Sequence, residues 1–181
     1  MNNNAPWVAL FSQTGSEIAK LAEHLRRWPD YIITNAATDS INDDVIFNIT
    51  HMVDSKSAQT LDILHELCDQ NTLITLHGWL RIVPKAICNE YKIFNGHPGL
   101  ITRYGELKGK DPQDKILKDL HHYKYYGSVV HKVTPEIDGG DVVAYCERKN
   151  DLTFTNFDDN IRHASLTSWL NFFNKQTNNI C

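Results

Sequence analysis

Apolar residues run unbroken from Trp7 to Phe11 and stop at Ser12-Gln13-Thr14-Gly15-Ser16, after which Ile18, Leu21, Ala22 and Leu25 recur at helical spacing within Glu17 to Arg27. The same alternation of short apolar runs and amphipathic stretches continues. Tyr31 to Thr34 and Val45 to Thr50 read as strands rich in Ile and Val, and Leu73 to Leu76 reads as another. Ala58 to Gln70 reads as a helix with Leu61, Leu64, Leu67 and Cys68 on one face. Strands alternating with helices predict an α/β fold, a mainly parallel twisted sheet with helices on both faces.

The pattern changes in the second half. A strand over Tyr91 to Asn95 runs into Gly96-His97-Pro98-Gly99, whose proline and glycines stop any helix. Asp111 to Leu120 reads as a helix with Asp111 as cap and Pro112 at the first helical position. Strands over Tyr126 to Val133 and Asp141 to Arg148 form a hairpin through Thr134 to Gly140, and an amphipathic helix over Phe157 to Lys175 closes the chain. With no internal repeat or low-complexity linker, residues 1–181 read as one domain whose first six residues are a frayed lead-in.

Composition narrows the class. The 181 residues carry a formal net charge of −4, with 41% hydrophobic and 22% charged residues, so a basic nucleic-acid footprint is missing. No apolar run reaches the roughly 18 residues of a membrane span. The polar start lacks a signal-peptide pattern, which leaves the cytoplasm as the expected compartment. Cys68, Cys88, Cys146 and Cys181 are scattered, which argues against a disulfide scaffold or a metal site.

Three strand ends carry unusual polar residues, and ligands of open α/β sheets bind beyond such ends. Thr14-Gly15-Ser16 before a helix can cradle an anion or simply cap a turn, and Glu17 in the first turn would compete for the positive end of the helix dipole. Asn95 and His97, two residues apart on a strand, project to one side and offer an amide donor and an imidazole, the groups that stabilise an oxyanion or move a proton. Asp138 in a glycine-rich loop could orient His97 and favour its imidazolium, or could belong to an ordinary Asp-Gly turn. Lys108, Lys110, Lys115 and Lys118 form a basic patch, either a solvated helix face or a clamp for an acceptor phosphate. His121-His122 reads as an exposed loop, and Trp169, Phe172 and Phe173 as core or dimer contacts, so a homodimer stays open.

Taken together, Asn95-Gly96-His97-Pro98 and the later stretch from His131 through Asp138 to Gly140 resemble the folate-dependent formyltransferases, in order and in separation. Leu76 to Pro84 is similar to that family's segment before the catalytic strand, and Phe11 to Ser16 to its glycine-serine phosphate loop. The resemblance spans roughly residues 7 to 148 and implies a Rossmann-like formyltransferase fold with 10-formyltetrahydrofolate as co-substrate. It implies Asn95, His97 and Asp138 as catalytic residues, the first two at the oxyanion and Asp138 holding His97 charged. The folate would lie between Trp79, Leu80, Arg81, Ile82 and Val83 on one side and Pro135, Glu136 and Ile137 on the other. Thr14, Gly15, Ser16 and Lys110 would hold a small, phosphorylated amine, with glycinamide ribonucleotide as the best single candidate. A nucleotide-linked amino sugar or modified nucleotide is the alternative acceptor, and a non-catalytic folate- or nucleotide-binding module the alternative class. A dinucleotide oxidoreductase is disfavoured because no G-x-G-x-x-G follows the first strand. The chain departs from the family at Glu17, where the family has Asn. It departs again near Ser165, where the ribonucleotide enzymes carry the glutamate that handles the amine. The donor side is therefore kept and the acceptor side altered.

Overall fold

The structure is a computed structural model that describes residues 5–53 and 57–178. Its elements in chain order are β1 Trp7–Phe11, α1 Ser16–Leu25, β2 Tyr31–Thr34, α2 Asp43–Ile46, β3 His51–Met52, α3 Ser57–Leu67, β4 Leu73–Leu76, α4 Lys85–Glu90, β5 Lys92–His97, α5 Pro112–Lys118, β6 Tyr125–Lys132, β7 Val142–Lys149 and α6 Phe157–Asn178. All seven strands join one sheet in the order β3-β2-β1-β4-β5-β6-β7. The first five are parallel, and β6 and β7 run antiparallel as the hairpin that the sequence pattern predicts.

Alternation along β1 explains why its apolar run is continuous. Trp7, Ala9 and Phe11 pack into one core with Ile18, Leu21, Trp169 and Phe172, while Val8 and Leu10 pack into the opposite core with Leu64, Ile74 and Ile93. Each of the large side chains among them contributes about 1.5–3 kcal/mol by leaving water. A third cluster beneath the hairpin gathers Leu100, Leu107, Ile116, Tyr126, Val129 and Ile161. Trp169 and Phe172 are fully buried, so they serve the core. Among the described residues no helix is long and apolar enough to cross a membrane.

Three expectations are corrected. Residues 45 to 50 are not a strand: Asn42 Oδ1 accepts from the Asp44 N–H at 2.9 Å and caps the short helix α2, leaving only His51–Met52 as the edge strand. Local capping there overrides the β preference of Val and Ile. Asp111 stands at the N-cap of α5 in a left-handed conformation (φ 55°), and no side-chain cap bond forms. Finally, α4 forms after Pro84, where no helix was expected.

Strand order reverses between β1 and β4, so connections leave these neighbours toward opposite faces and open a crevice at their carboxyl ends. The Ser12 N–H donates to Gly78 O at 3.2 Å, and the Leu80 N–H to Ser12 Oγ at 3.0 Å, which stitches the crevice floor.

Candidate active site

β5 carries Asn95, Gly96 and His97 to the carboxyl edge of the sheet beside this crevice. The pleat sends Gly96 away from its neighbours, toward α6, where an added Cβ would lie 2.6 Å from Trp169 Nε1. Asn95 pairs with His131 across the antiparallel β5–β6 ladder, and the register slips by one residue between Val130 and His131. A bulge of this kind re-aims side chains next to it. The backbone of His97 is pinned by Ser128 Oγ, which donates to its carbonyl at 2.8 Å.

Asp138 joins these residues from the β6–β7 loop. Its Oδ2 lies 3.3 Å from His97 Nδ1 and its Oδ1 3.2 Å from His131 Nε2. The Gly109 N–H also donates to Oδ2, at 2.8 Å. Asp138 reaches this position with φ 48°, a left-handed conformation that Asp tolerates better than most residues. Desolvation pushes its carboxyl up. The hydrogen bond from His131, the charge of His97 and the Gly109 N–H outweigh that and hold it below its usual value.

His97 is buried, and both its ring nitrogens face acceptors. Nε2 donates to Leu107 O at 2.8 Å, and Nδ1 faces Asp138. These partners favour imidazolium, as expected from the sequence, but desolvation is the larger effect and holds the pKa below its ordinary value. A proton arriving at Nδ1 is met by a carboxylate already in place. Asn95 is half-buried, with Nδ2 3.2 Å from His131 Nε2. His131 Nδ1 donates to Lys132 O at 3.0 Å.

The expected folate segments fall into two lips. Trp79 and Val83 pack with Val133, the residue after β6, in one cluster, and Trp79, Arg81, Ile82 and Val83 line a cleft over Leu10 and Leu64. Leu80, Ile82 and Ile137 leave their side chains largely exposed beside the cleft, and Pro135 and Glu136 are exposed in the Asp138 loop. Exposed apolar side chains around an apolar cleft suit a flat aromatic ligand.

The two halves of the expected phosphate clamp stand on different elements. Thr14, Gly15 and Ser16 follow β1, where Thr14 Oγ1 takes the Ser16 N–H at 3.3 Å and shares a hydrogen with Ser16 Oγ at 3.0 Å. Lys110 is exposed on the loop whose Gly109 holds Asp138. Lys115 of the basic patch is turned onto the Glu106 and Lys108 carbonyls at 2.8 and 3.1 Å, where it braces that loop.

Glu17 does not compete at the helix end as expected. Its carboxylate turns inward, with His77 Nδ1 at 2.8 Å and Trp169 Nε1 at 3.0 Å on Oε2, and Ser165 Oγ on Oε1. Burial pushes this carboxyl up. The His77 bond and charge, helped by Ser165 and Trp169, hold it below its usual range. Sequence reasoning assigned no role to His131 or His77. His131 had a visible signal, its place at the start of the Asp138 motif; His77 and the Glu17 contacts join residues far apart in the chain and had none. At the carboxyl end of β2, Asn35 Oδ1 is a buried oxygen without a hydrogen-bond partner among the described residues.

A doubly wound sheet with a carboxylate–histidine cluster at its carboxyl edge, beside an apolar cleft, is built to bind a flat ligand and to move a proton next to it. The formyl transferase family model matches residues 8–168, and the chain belongs to that family. It is 30% identical over 98 residues to phosphoribosylglycinamide formyltransferase of Escherichia coli (strain K12), a match that spans 52% of this chain and 44% of that enzyme's length. The fold is shared with phosphoribosylglycinamide formyltransferase from Bacillus halodurans (TM-score 0.76, 16% identity, 94% of each chain covered). It is also shared with a sugar N-formyltransferase from Shewanella sp (TM-score 0.62, 18% identity, 91% of this chain and 66% of that one). Over part of its length the chain thus resembles the phosphoribosylglycinamide enzymes.

Proposed function

We propose that this protein moves the formyl group of 10-formyltetrahydrofolate to a primary amine on a small acceptor. Glycinamide ribonucleotide is the best single candidate, which would give the enzyme a place in purine synthesis. The observation that carries the reading is the Asp138 carboxylate held between His97 Nδ1 and His131 Nε2 next to the Asn95 amide, in a member of the formyl transferase family.

Formyl transfer to an amine has two needs at its centre. Negative charge builds on the formyl oxygen, and the attacking nitrogen must shed a proton while the departing nitrogen gains one. The Asn95 amide offers an N–H to the developing oxyanion. His97, held by Asp138 at Nδ1 and by the Leu107 carbonyl at Nε2, supplies positive charge beside the oxyanion when it is protonated. Asp138 keeps that charge in place until the proton passes to the departing nitrogen. The lips at Trp79 to Val83 and Pro135 to Ile137 would hold the flat part of the donor and exclude water.

Turnover tests the reading directly. The protein is mixed with 10-formyltetrahydrofolate and a panel of glycinamide ribonucleotide, a nucleotide-linked amino sugar and simple amines, and release of tetrahydrofolate is followed. Amine-dependent release is the expected result. Folate binding without release for any amine would establish a binding module instead.

A further inference from the structure

We propose that Lys115, on α5, is a positioning residue for the transfer reaction: its ammonium fixes the 105–109 segment so that the Leu107 carbonyl and the Gly109 N–H stay seated on His97 and Asp138. The proposal rests on the transfer reading above and assigns a part to a residue that this reading does not use.

Segment 105–109 supplies one partner to each member of the histidine–carboxylate pair. His97 Nε2 donates to Leu107 O at 2.8 Å, and the Gly109 N–H donates to Asp138 Oδ2 at 2.8 Å. A shift of this segment therefore disturbs the ring and the carboxylate together. Little in the backbone holds it. It makes one short turn, Gly105–Leu107, and reaches Gly109 with φ 79°. Among the described residues no backbone N–H donates to the carbonyls of Glu106, Leu107 or Lys108. These three consecutive carbonyls are divided between two side chains. The middle one accepts from His97, and the outer two accept from Lys115 Nζ, at 2.8 Å for Glu106 and 3.1 Å for Lys108. One ammonium thus clasps the peptide groups on both sides of the carbonyl that meets the ring.

Lys115 is itself anchored. Its own N–H donates to Asp111 O at 3.2 Å, and its neighbour Ile116 is buried in one cluster with Leu107. That apolar contact sets how closely helix and segment approach. The directional bonds from Nζ set how the peptide planes on either side of Leu107 are turned. Two of the three ammonium donors are spent in this way, which leaves Lys115 neither a solvated helix face nor a free phosphate ligand. Charge does not account for the placement. A cation near His97 disfavours the imidazolium, in the same direction as burial and against Asp138. What Lys115 gives the ring is therefore geometry, delivered through the segment. Misplacement of a reacting group by about 1 Å can cost about a hundredfold in rate, so a clasp at this point is worth its unfavourable charge.

Two readouts on the full-length protein test this, one with turnover and one without. Lys115→Met keeps an apolar stem and removes the donors. With an amine that the wild type formylates, it is expected to lower kcat about tenfold with both KM values little changed, and Lys115→Arg, which keeps the donors, to recover most of the loss. Without substrate, exchange of the Gly109 amide with deuterium and the His97 Nε2–H resonance, assigned with His97→Gln, are followed by nuclear magnetic resonance. In Lys115→Met the Gly109 amide is expected to exchange about tenfold faster and the ring N–H signal to broaden, while amides of β1 and β4 keep their protection. An unchanged kcat overturns the proposal, and so does a lowered kcat with the Gly109 amide and the ring signal unmoved. A loosened segment in a protein whose wild type turns over no amine overturns the transfer reading and keeps the clasp; an unmoved segment in such a protein overturns both. If Lys115→Met loses protection in β1 and β4 as well, Lys115→Gln replaces it, with the same expectations.

Discussion

Asp138 and Glu17 are two carboxylates at one sheet edge, each gripped by histidine, yet they are built in different ways. Asp138 sits on a loop in a left-handed conformation and is held by side chains of the adjoining strands and by the Gly109 N–H. Three groups meet it, His97, His131 and the Gly109 N–H, so it can hold a charged ring. Glu17 sits in a helix turn and is held by residues 60, 148 and 152 positions away. The cluster around Asp138 lies beside the Asn95 amide and is suited to moving a proton. The one around Glu17 ties the start of α1 to the end of β4 and to α6.

The comparison is broken most strongly at His97. His97→Ala is expected to lower kcat/KM about a thousandfold, in the range of lost acid–base catalysis, and Asp138→Asn should follow it with a folded protein. Steady-state rates with the fold checked by circular dichroism decide this, and near-wild-type turnover in either variant would falsify the assignment.

Gly96→Ala strikes the wall between the two clusters. Its methyl would meet Trp169 Nε1 at 2.6 Å and so push the indole off both the strand and Glu17. Overpacking of this kind costs about 1–3 kcal/mol, measurable as a lower urea midpoint, and an unchanged midpoint would show that α6 gives way freely. Trp169→Phe removes only the N–H donor and some volume, for an expected loss of about 1 kcal/mol.

Acidity separates the clusters with smaller effects. His97 titrates below its ordinary 6.5, so the unfolded chain binds its proton first and stability starts to fall as pH drops through that value. Glu17 and Asp138 titrate below their ordinary 4.5 and 3.8, so the stability they contribute is complete above those values and is lost as pH falls beneath them. Urea midpoints against pH should therefore lose their upper slope in His97→Ala and part of their lower slope in Glu17→Gln. Parallel curves for all three proteins would contradict the assigned protonation states.

Much of the fold was legible because its signals are local. The five-residue run at β1 and the helical spacing in α1 and α6 survive folding with small shifts of boundary, since both faces of a central strand and one face of a covering helix must be apolar. Residues 45 to 50 misled because Asn42 caps a turn there, a side-chain bond that outweighs the β preference of two or three residues. Asn95, His97 and Asp138 could be singled out by spacing and motif, and the folded chain brings them together. The charge of His97 could not be read, because it depends on how much water burial removes.

The sequence by itself determined the α/β alternation, the polar strand ends and the family motif, all properties of neighbours along the chain. Tertiary structure alone decided that Glu17 turns inward, that it meets His77, Ser165 and Trp169, and that burial outweighs Asp138 in setting the state of His97. The physical reason is the same in each case. Hydrogen bonding and desolvation act through space over a few ångströms, and at the crevice those few ångströms join segments up to 152 residues apart.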